Sequence, residues 1–251
     1  MRAIGIVGGV GPFAGLDLQR KIAEQTVAQR DQDHLTVLSV SRPSPIPDRT
    51  QYLTGQVEEN PARALANQVH LLAKMGATVV GIPCNTAHAP PIFDLLRVEL
   101  ETALPPTKLL HMIQEVGRFL QTHFPYVKRV GILSTTGTYQ TKLYPQLLEP
   151  LGFDTVIPSP QMQETQIHPA IYHPTYGIKS CGVVTEQARH NLTTGVATLQ
   201  GQGAEAIILG CTEIPLAITN RQIDSTIIID PTLILARALI REVDEMKLRP
   251  W

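Results

Sequence analysis

Short apolar runs closed by glycine or proline alternate along this chain with longer segments whose apolar residues recur at three- and four-residue intervals. That alternation predicts strands and helices in turn, and so a mainly parallel sheet covered by helices on both faces. Residues 3–7 (Ala-Ile-Gly-Ile-Val) read as the first strand. Gly8-Gly9-Val10-Gly11-Pro12 then turns the chain into a helix, with Pro12 suited to its first turn. Leu16, Leu18, Ile22 and Val27 space out the apolar face of that helix to about residue 28. Residues 35–40 are the second strand. A long loop, 41–60, follows, holding Pro43, Pro45 and Pro47 and the segment Asp48-Arg49-Thr50. Asn60-Pro61 caps a helix carrying Leu65, Val69, Leu72 and Met75, which Gly76 ends. The third strand, Val79-Val80-Gly81-Ile82, stops at Pro83 and delivers Cys84-Asn85-Thr86-Ala87-His88, before a helix over about 91–102.

The pattern then begins again. Arg129-Val130-Gly131-Ile132-Leu133-Ser134-Thr135-Thr136-Gly137 matches the opening strand and turn, with Gly131 and Gly137 each 126 positions beyond Gly5 and Gly11. Ala206-Ile207-Ile208-Leu209-Gly210-Cys211-Thr212-Glu213-Ile214-Pro215 mirrors the first cysteine block. Cys211 lies 127 positions beyond Cys84, and at that offset Gly76-Ala77 falls on Gly203-Ala204. Two separate blocks at almost one offset indicate duplication of the ends of each half, while the middles do not hold the register. Residues 153–157 read as a strand, 158–182 as a long irregular segment, 184–200 as a helix ended by Gly201 and Gly203, and 226–229 as a strand. Asp230-Pro231 caps a last helix to about Lys247. The expected fold is α/β with two pseudo-symmetric domains, 1–104 plus 226–251 and 105–225, each a mainly parallel sheet flanked by helices.

Composition removes several alternatives. The chain has 251 residues, 43% of them hydrophobic, and a net charge of −1, which gives no reason to expect a nucleic-acid or membrane partner. No apolar run approaches the roughly 20 residues that span a bilayer, and Met1-Arg2-Ala3 enters a strand with no signal peptide ahead of it. Three cysteines are too few and too scattered for a disulfide framework, so a reducing cytoplasm is expected.

In open parallel sheets ligands bind beyond the carboxyl ends of the strands. Cys84, Asn85 and Thr86 sit at that edge in one half, and Cys211 and Thr212 in the other. A helix N-terminus after each cysteine would favour thiolate and attract a carboxylate. His88 lies one helical turn beyond Cys84, but the equivalent place in the second half is Pro215, so a hydrolase-like thiol–base pair is not repeated. Two matched thiols suit a symmetric task. If the halves face each other, one thiolate removes a proton from a carbon while the other thiol donates to the opposite face.

The blocks Pro83-Cys84-Asn85-Thr86-Ala87-His88 and Gly210-Cys211-Thr212-Glu213-Ile214-Pro215-Leu216 resemble the two signature motifs of the cofactor-independent aspartate/glutamate racemases. Gly8-Gly9-Val10-Gly11-Pro12 resembles the family's opening, and Pro47-Asp48-Arg49-Thr50 its aspartate branch. The resemblance covers nearly the whole chain. It implies an active site in the cleft between two related domains, usually in a homodimer, and interconversion of L- and D-aspartate with neither cofactor nor metal. It implies that Cys84 handles the D-enantiomer and Cys211 the L-enantiomer. Asn85, Thr86 and Thr212 would hold the α-carboxylate and ammonium, and Ser134, Thr135 and Thr136 would also bind carboxylate. Arg49 would pair with the side-chain carboxylate, and the family's lysine after a tyrosine-containing segment would map to Lys179, after Tyr172, as a further substrate-binding residue. On the residues themselves, His88 would either orient Cys84 or cap a turn, and Glu213 would either support Cys211 or be a solvated acid in a helix's first turn. Gly15 departs from the family pattern, standing where a small hydroxyl residue is expected, and Phe13 is unusual there.

Other readings remain open. The same thiols would serve glutamate, a hydantoin or a small diacid, and a non-catalytic two-lobed binder of small anions has the same outline. Gly9-x-Gly11-x-x-Ala14 loosely matches a dinucleotide fingerprint, but Ser39, Val40 and Ser41 stand where its acid belongs. His168, His173 and His190 lack companions at metal-ligand spacing, and Cys181 has no matching motif.

Overall fold

The structure, a computed structural model, describes residues 2–101 and 107–251. The expected helix end at Thr102 and the domain boundary between 104 and 105 lie outside the described residues. The strands are β1 (Ala3–Val7), β2 (Val37–Val40), β3 (Ala77–Gly81), β4 (Lys108–Leu109), β5 (Arg129–Ser134), β6 (Asp154–Val156), β7 (Ala206–Gly210), β8 (Gln222–Ile223) and β9 (Thr226–Ile229). They form two sheets, ordered β2-β1-β3-β4 and β6-β5-β7-β9-β8. All pairings are parallel except the edge hairpin β8–β9. The chain forms two compact units, Met1–Glu115 with Thr232–Trp251, and Val116–Pro231.

In the first unit, β1 is buried along its whole length and its side chains alternate between two cores. Ile4 and Ile6 pack with Leu18 and Ile22 of helix Pro12–Gln25 and with Leu235 and Leu239 of helix Pro231–Asp244. Val7 faces the opposite way, with Leu65, Val69 and Leu72 of helix Ala62–Lys74 and Ile92 and Leu96 of helix Pro90–Leu100. Leu16 and Val27, expected on the apolar face of the first helix, are exposed instead. A buried stripe of Ala14, Leu18 and Ile22 suffices there, because Asp17 and Lys21 form an ion pair at its edge.

The second unit repeats the scheme around β5 and β7. Leu133, Ile207 and Leu209 pack against Leu192, Val196 and Leu199 of helix Glu186–Gly201. Strand β9 was expected in the first domain. It pairs with β7 in the second sheet, and the chain returns to the first unit only at Thr232. Its apolar run Ile227–Ile229 has a partner surface on β7, so the return comes after the strand rather than before it. The segment 158–182, expected to be irregular, holds short helical turns at Pro160–Met162, His168–Tyr172 and Ile178–Cys181 and a π-helical turn at Gln163–Ile167. Pro160–Met162, Gln163–Ile167 and His168–Tyr172 abut in one continuous helical run, 160–172, opened by Pro160 at its first turn and carrying the π-helical turn in its middle, and Ile178–Cys181 begins after Gly177. Among the described residues no helix is long and apolar enough to cross a membrane.

The duplication is visible in the packing. A β-carbon on Gly5 would stand 2.8 Å from Val80 Cγ2, 2.9 Å from Ala77 Cβ and 3.3 Å from Leu72 Cβ. One on Gly131 would stand 3.1 Å from Ile207 Cγ1, Ala204 Cβ and Leu199 Cβ alike. Those three partners follow the first three at the offset of 127 that separates the cysteines. Gly76 and Gly203, also at that offset, both adopt left-handed backbone (φ 102° and 84°) between helix and strand. Each unit thus seats its first strand under a helix at a spacing that admits no side chain. Gly5→Ala is expected to destabilise the protein by about 1–3 kcal/mol, more than Gly131→Ala, as a lower urea midpoint in equilibrium unfolding.

Candidate active site

In the first unit Pro83 ends the hydrogen-bonding run of β3, and the Cys84 amide donates to the Ile82 carbonyl at 2.8 Å, a tight turn about the proline. This swings Cys84 off the carboxyl end of the strand. Its Sγ lies 3.2 Å from Thr86 Oγ1, and both side chains, with that of Asn85, are buried. The expected helix N-terminus directly after Cys84 is absent. A single 3₁₀ turn, Thr86–His88, intervenes, and the helix begins at Pro90. Two prolines, Pro90 and Pro91, account for the delay: both suit a first turn and neither suits a helix interior.

His88 does reach back one turn, to the backbone of Cys84. Its Nδ1 lies 2.8 Å from the Cys84 carbonyl, so that nitrogen carries the proton and donates it. The ring stacks on Phe93 (5.1 Å between centroids) and meets His111 at 4.9 Å. Burial, with a smaller contribution from His111, pushes the His88 pKa down to about 3. His88 therefore stays neutral and fixes the peptide from which the thiol projects.

Arg49 opens the short helix Arg49–Leu53, whose N-cap Asp48 accepts from the Gln51 amide at 2.9 Å. The guanidinium is buried and donates to the Val10 carbonyl (2.6 Å) and the Pro47 carbonyl (3.3 Å). Val10 belongs to the turn after β1, and Arg49–Leu53 packs on the turn Thr86–His88, so Arg49 lies in the same neighbourhood as Cys84. The departures at the first turn have a steric explanation. A β-carbon on Gly15 would stand 2.7 Å from Gly8 Cα, and one on Gly9 2.6 Å from the Arg42 amide nitrogen, so a hydroxyl side chain at position 15 has no room.

In the second unit Cys211 follows β7 directly, and the helix after it, Ile214–Ala217, is a single turn with Pro215 near its start. Its thiol donates to Glu213 Oε2 at 2.9 Å, and Thr212 Oγ1 donates to the same oxygen at 3.1 Å. The other carboxylate oxygen, Oε1, lies 2.7 Å from Lys179 Nζ. Burial, then the adjacent Glu213 charge, pushes the Cys211 thiol well above its ordinary value. Burial opposes the Glu213 charge too, but Lys179 and the hydrogen bonds from Cys211 and Thr212 outweigh it and hold the carboxyl below its usual range. Lys179 also lies 5.5 Å from the centre of the Tyr172 ring. Ser134 pairs with Gly210 in the sheet register, which brings the turn Ser134-Thr135-Thr136 beside Cys211. Ser134 and Thr135 are buried, and Thr135 Oγ1 lies 3.4 Å from Thr138 Oγ1.

The sequence reading missed three neighbours of these groups. His111 packs on His88; Gln163 donates to the Ser134 carbonyl at 3.0 Å; and the fully buried Tyr144 approaches Gly210, its Cε2 3.1 Å from where a β-carbon would sit. None lies in a motif. Gln163 opens the π-helical turn, a geometry enriched at functional positions but unreadable in sequence.

The family model for Asp/Glu/hydantoin racemases matches residues 7–239. The chain belongs to this family. Membership makes it an isomerase, an amino-acid racemase. Among solved structures it is similar to an aspartate racemase from Picrophilus torridus, with a TM-score of 0.78 and 28% identity over 97% of this chain and 94% of that one. A glutamate racemase from Pseudomonas entomophila (strain L48) is 27% identical over 96% of this chain and 80% of its own. The broad specificity amino-acid racemase RacX from Bacillus subtilis (strain 168) is 24% identical over 94% and 96%.

The buried imidazoles of this racemase have a consequence for pH. The His88 pKa lies near 3 and that of His111 is lowered to about 4, mainly by burial, against about 6.5 in the unfolded chain. The unfolded state therefore takes up protons first. Stability from these groups is present above about pH 6.5 and is lost as pH falls toward about 4. Urea midpoints are expected to drop across that window, and His88→Gln, which keeps a donor for the Cys84 carbonyl, is expected to flatten the slope.

Proposed function

We propose that this racemase interconverts L- and D-aspartate without pyridoxal phosphate, by two-base chemistry at the α-carbon. The observation that carries the reading is the equivalence of Cys84 and Cys211: each is a buried thiol at the carboxyl end of the third strand of its unit, beside a hydroxyl residue. One thiolate removes the α-proton, and the other thiol donates a proton to the opposite face. The roles exchange in the reverse direction, Cys84 serving the D-enantiomer and Cys211 the L-enantiomer. No step needs a redox partner; one C–H bond breaks, one forms, and the proton inventory of the two sulfurs is exchanged.

The α-proton of an amino acid is a poor acid, so charge developing on the α-carboxylate needs preorganised donors. Asn85, Thr86 and Thr212 supply hydroxyl and amide groups for the α-carboxylate and ammonium, with Ser134, Thr135 and Thr136 as further carboxylate donors. Arg49 takes the side-chain carboxylate; its planar fork suits that partner. Lys179, with three ammonium protons and one directed at Glu213, retains donors for the same carboxylate. The similarity to an aspartate racemase and the Pro-Asp-Arg-Thr segment support aspartate. The relatives named as glutamate and broad-specificity racemases support a second reading, the same thiol chemistry on glutamate or a wider set of amino acids. We also propose a cytoplasmic homodimer, to be tested by sedimentation against the chain mass of 27.5 kDa.

Incubation with L-aspartate in D2O is expected to yield D-aspartate deuterated at the α-carbon with no added cofactor. Running glutamate, alanine and a hydantoin in parallel ranks the substrates, and a higher kcat/KM for any of these displaces aspartate. Cys84→Ser and Cys211→Ser are each expected to lower racemisation by a factor on the order of 100 or more, the usual range for losing a general acid or base. Unchanged turnover in either variant rejects the two-base scheme. Arg49→Ala is expected to reduce kcat/KM for aspartate more than for alanine.

A further inference from the structure

The two cysteines sit in different electrostatic settings. Cys84 has the neutral hydroxyl of Thr86 beside its sulfur. Cys211 donates instead to a buried carboxylate whose second oxygen is held by an ammonium group, making an unbroken chain Cys211 Sγ–Glu213 Oε2, Glu213 Oε1–Lys179 Nζ of 2.9 and 2.7 Å. Thr212 Oγ1 closes on the same Oε2. We infer that Glu213, clamped by Lys179, is the proton partner of Cys211: it keeps this thiol in the protonated, donating form at rest and accepts the thiol's proton when Cys211 serves as the base. The inference rests on the two-thiol reading above and gives the two half-reactions different starting states.

The proton balance is simple. When Cys211 becomes the base, the S–H bond breaks and an O–H bond forms on Glu213 Oε2, leaving a thiolate beside a neutral carboxyl. When Cys211 has given its proton to carbon, Glu213 is ionised and holds none, so the proton that restores the thiol comes from the next α-carbon or from solvent. A carboxylate oxygen 2.9 Å from the sulfur both resists formation of a second negative charge and offers the place for the displaced proton. Lys179 keeps that carboxylate ionised and aimed. Burial alone would lower Lys179, but Glu213, with Tyr172 and Cys211, raises it, so the ammonium stays charged. The other ionisable groups facing the thiol are few. Tyr144 is fully buried and its hydroxyl is pushed well up by burial and by Asp230 and Cys211. Asp230, at the end of β9, acts on Tyr144. Glu213 and Lys179 are the neighbours whose charges act most directly on Cys211, and they act in opposite senses.

That opposition supplies a test that a merely structural role would not pass. The β-carbon NMR shift of isotope-labelled cysteine distinguishes thiol from thiolate without requiring access to the sulfur. It is followed against pH in the full chain carrying Cys84→Ser and Cys181→Ser, so that only Cys211 reports. Glu213→Gln is expected to lower the Cys211 midpoint by at least one pH unit, a tenfold change in ionisation. Lys179→Met is expected to raise it. In protein retaining both catalytic thiols, the alkaline limb of the kcat/KM profile for α-proton exchange is expected to move down in Glu213→Gln by the same amount. A midpoint in Glu213→Gln at or above that of the parent, or a fall in Lys179→Met, overturns the inference. Lys179 is partly exposed, so its replacement serves even if the buried Glu213→Gln change prevents folding. Failure of the wild-type protein to exchange the α-proton of any amino acid overturns the reaction assigned above, and the titration separates that failure from a wrong assignment of Glu213.

Discussion

Everything in each unit hangs on the close approach of its first strand to the helix and strand that flank it. Gly5 lies against Leu72, Ala77 and Val80, and Gly131 against Leu199, Ala204 and Ile207. At these distances a single methyl group would push strand and helix apart. The spacing fixes the register of β1 on β3 and of β5 on β7, and so fixes how far the third strand reaches before its turn. Because side chains alternate faces along a strand, a slip of one residue would turn Cys84 or Cys211 to the wrong side.

Beyond the strands the two units diverge. The first carries a proline-directed turn, a neutral imidazole holding the cysteine peptide, and an arginine bound to the backbone of the neighbouring turn. The second carries a carboxylate–ammonium pair on the thiol itself. Duplication accounts for the shared frame, and the polar substitutions account for the difference. Glu213 follows its cysteine by two residues, as Thr86 follows Cys84, so one backbone position supplies a hydroxyl in one unit and a charged group in the other.

Much of this was legible before any coordinates. Strands with continuous apolar runs, such as Ala3–Val7 and Ala206–Gly210, are buried on both faces and announce themselves, and the glycine and cysteine offsets expose the repeat. Segments whose order depends on tertiary partners were not legible. Strand Lys108–Leu109 has only two residues, and helix Met112–His123 follows it without a glycine or proline boundary that sets it apart. The helical run 160–172 holds Pro160 and Pro169 and a π-helical turn that shifts its period, so its apolar residues do not recur at regular helical spacing. In the site, the cysteines and their polar followers were evident from motif. The direction of His88 toward a carbonyl, and of Lys179 toward Glu213, depends on rotamers that a sequence does not record.

The path of the chain carries one more consequence. The second unit is a single continuous stretch, Val116–Pro231, whereas the first is completed only by Thr232–Trp251. On the ribosome, helix Pro231–Asp244 emerges after the whole second unit, although Leu235 and Leu239 are the cover for Ile4 and Ile6, which are made before it. The nascent chain can therefore close the second unit while one face of the first sheet is still uncovered, and that face stays open until helix Pro231–Asp244 has emerged, which makes it the natural place for a chaperone to attend.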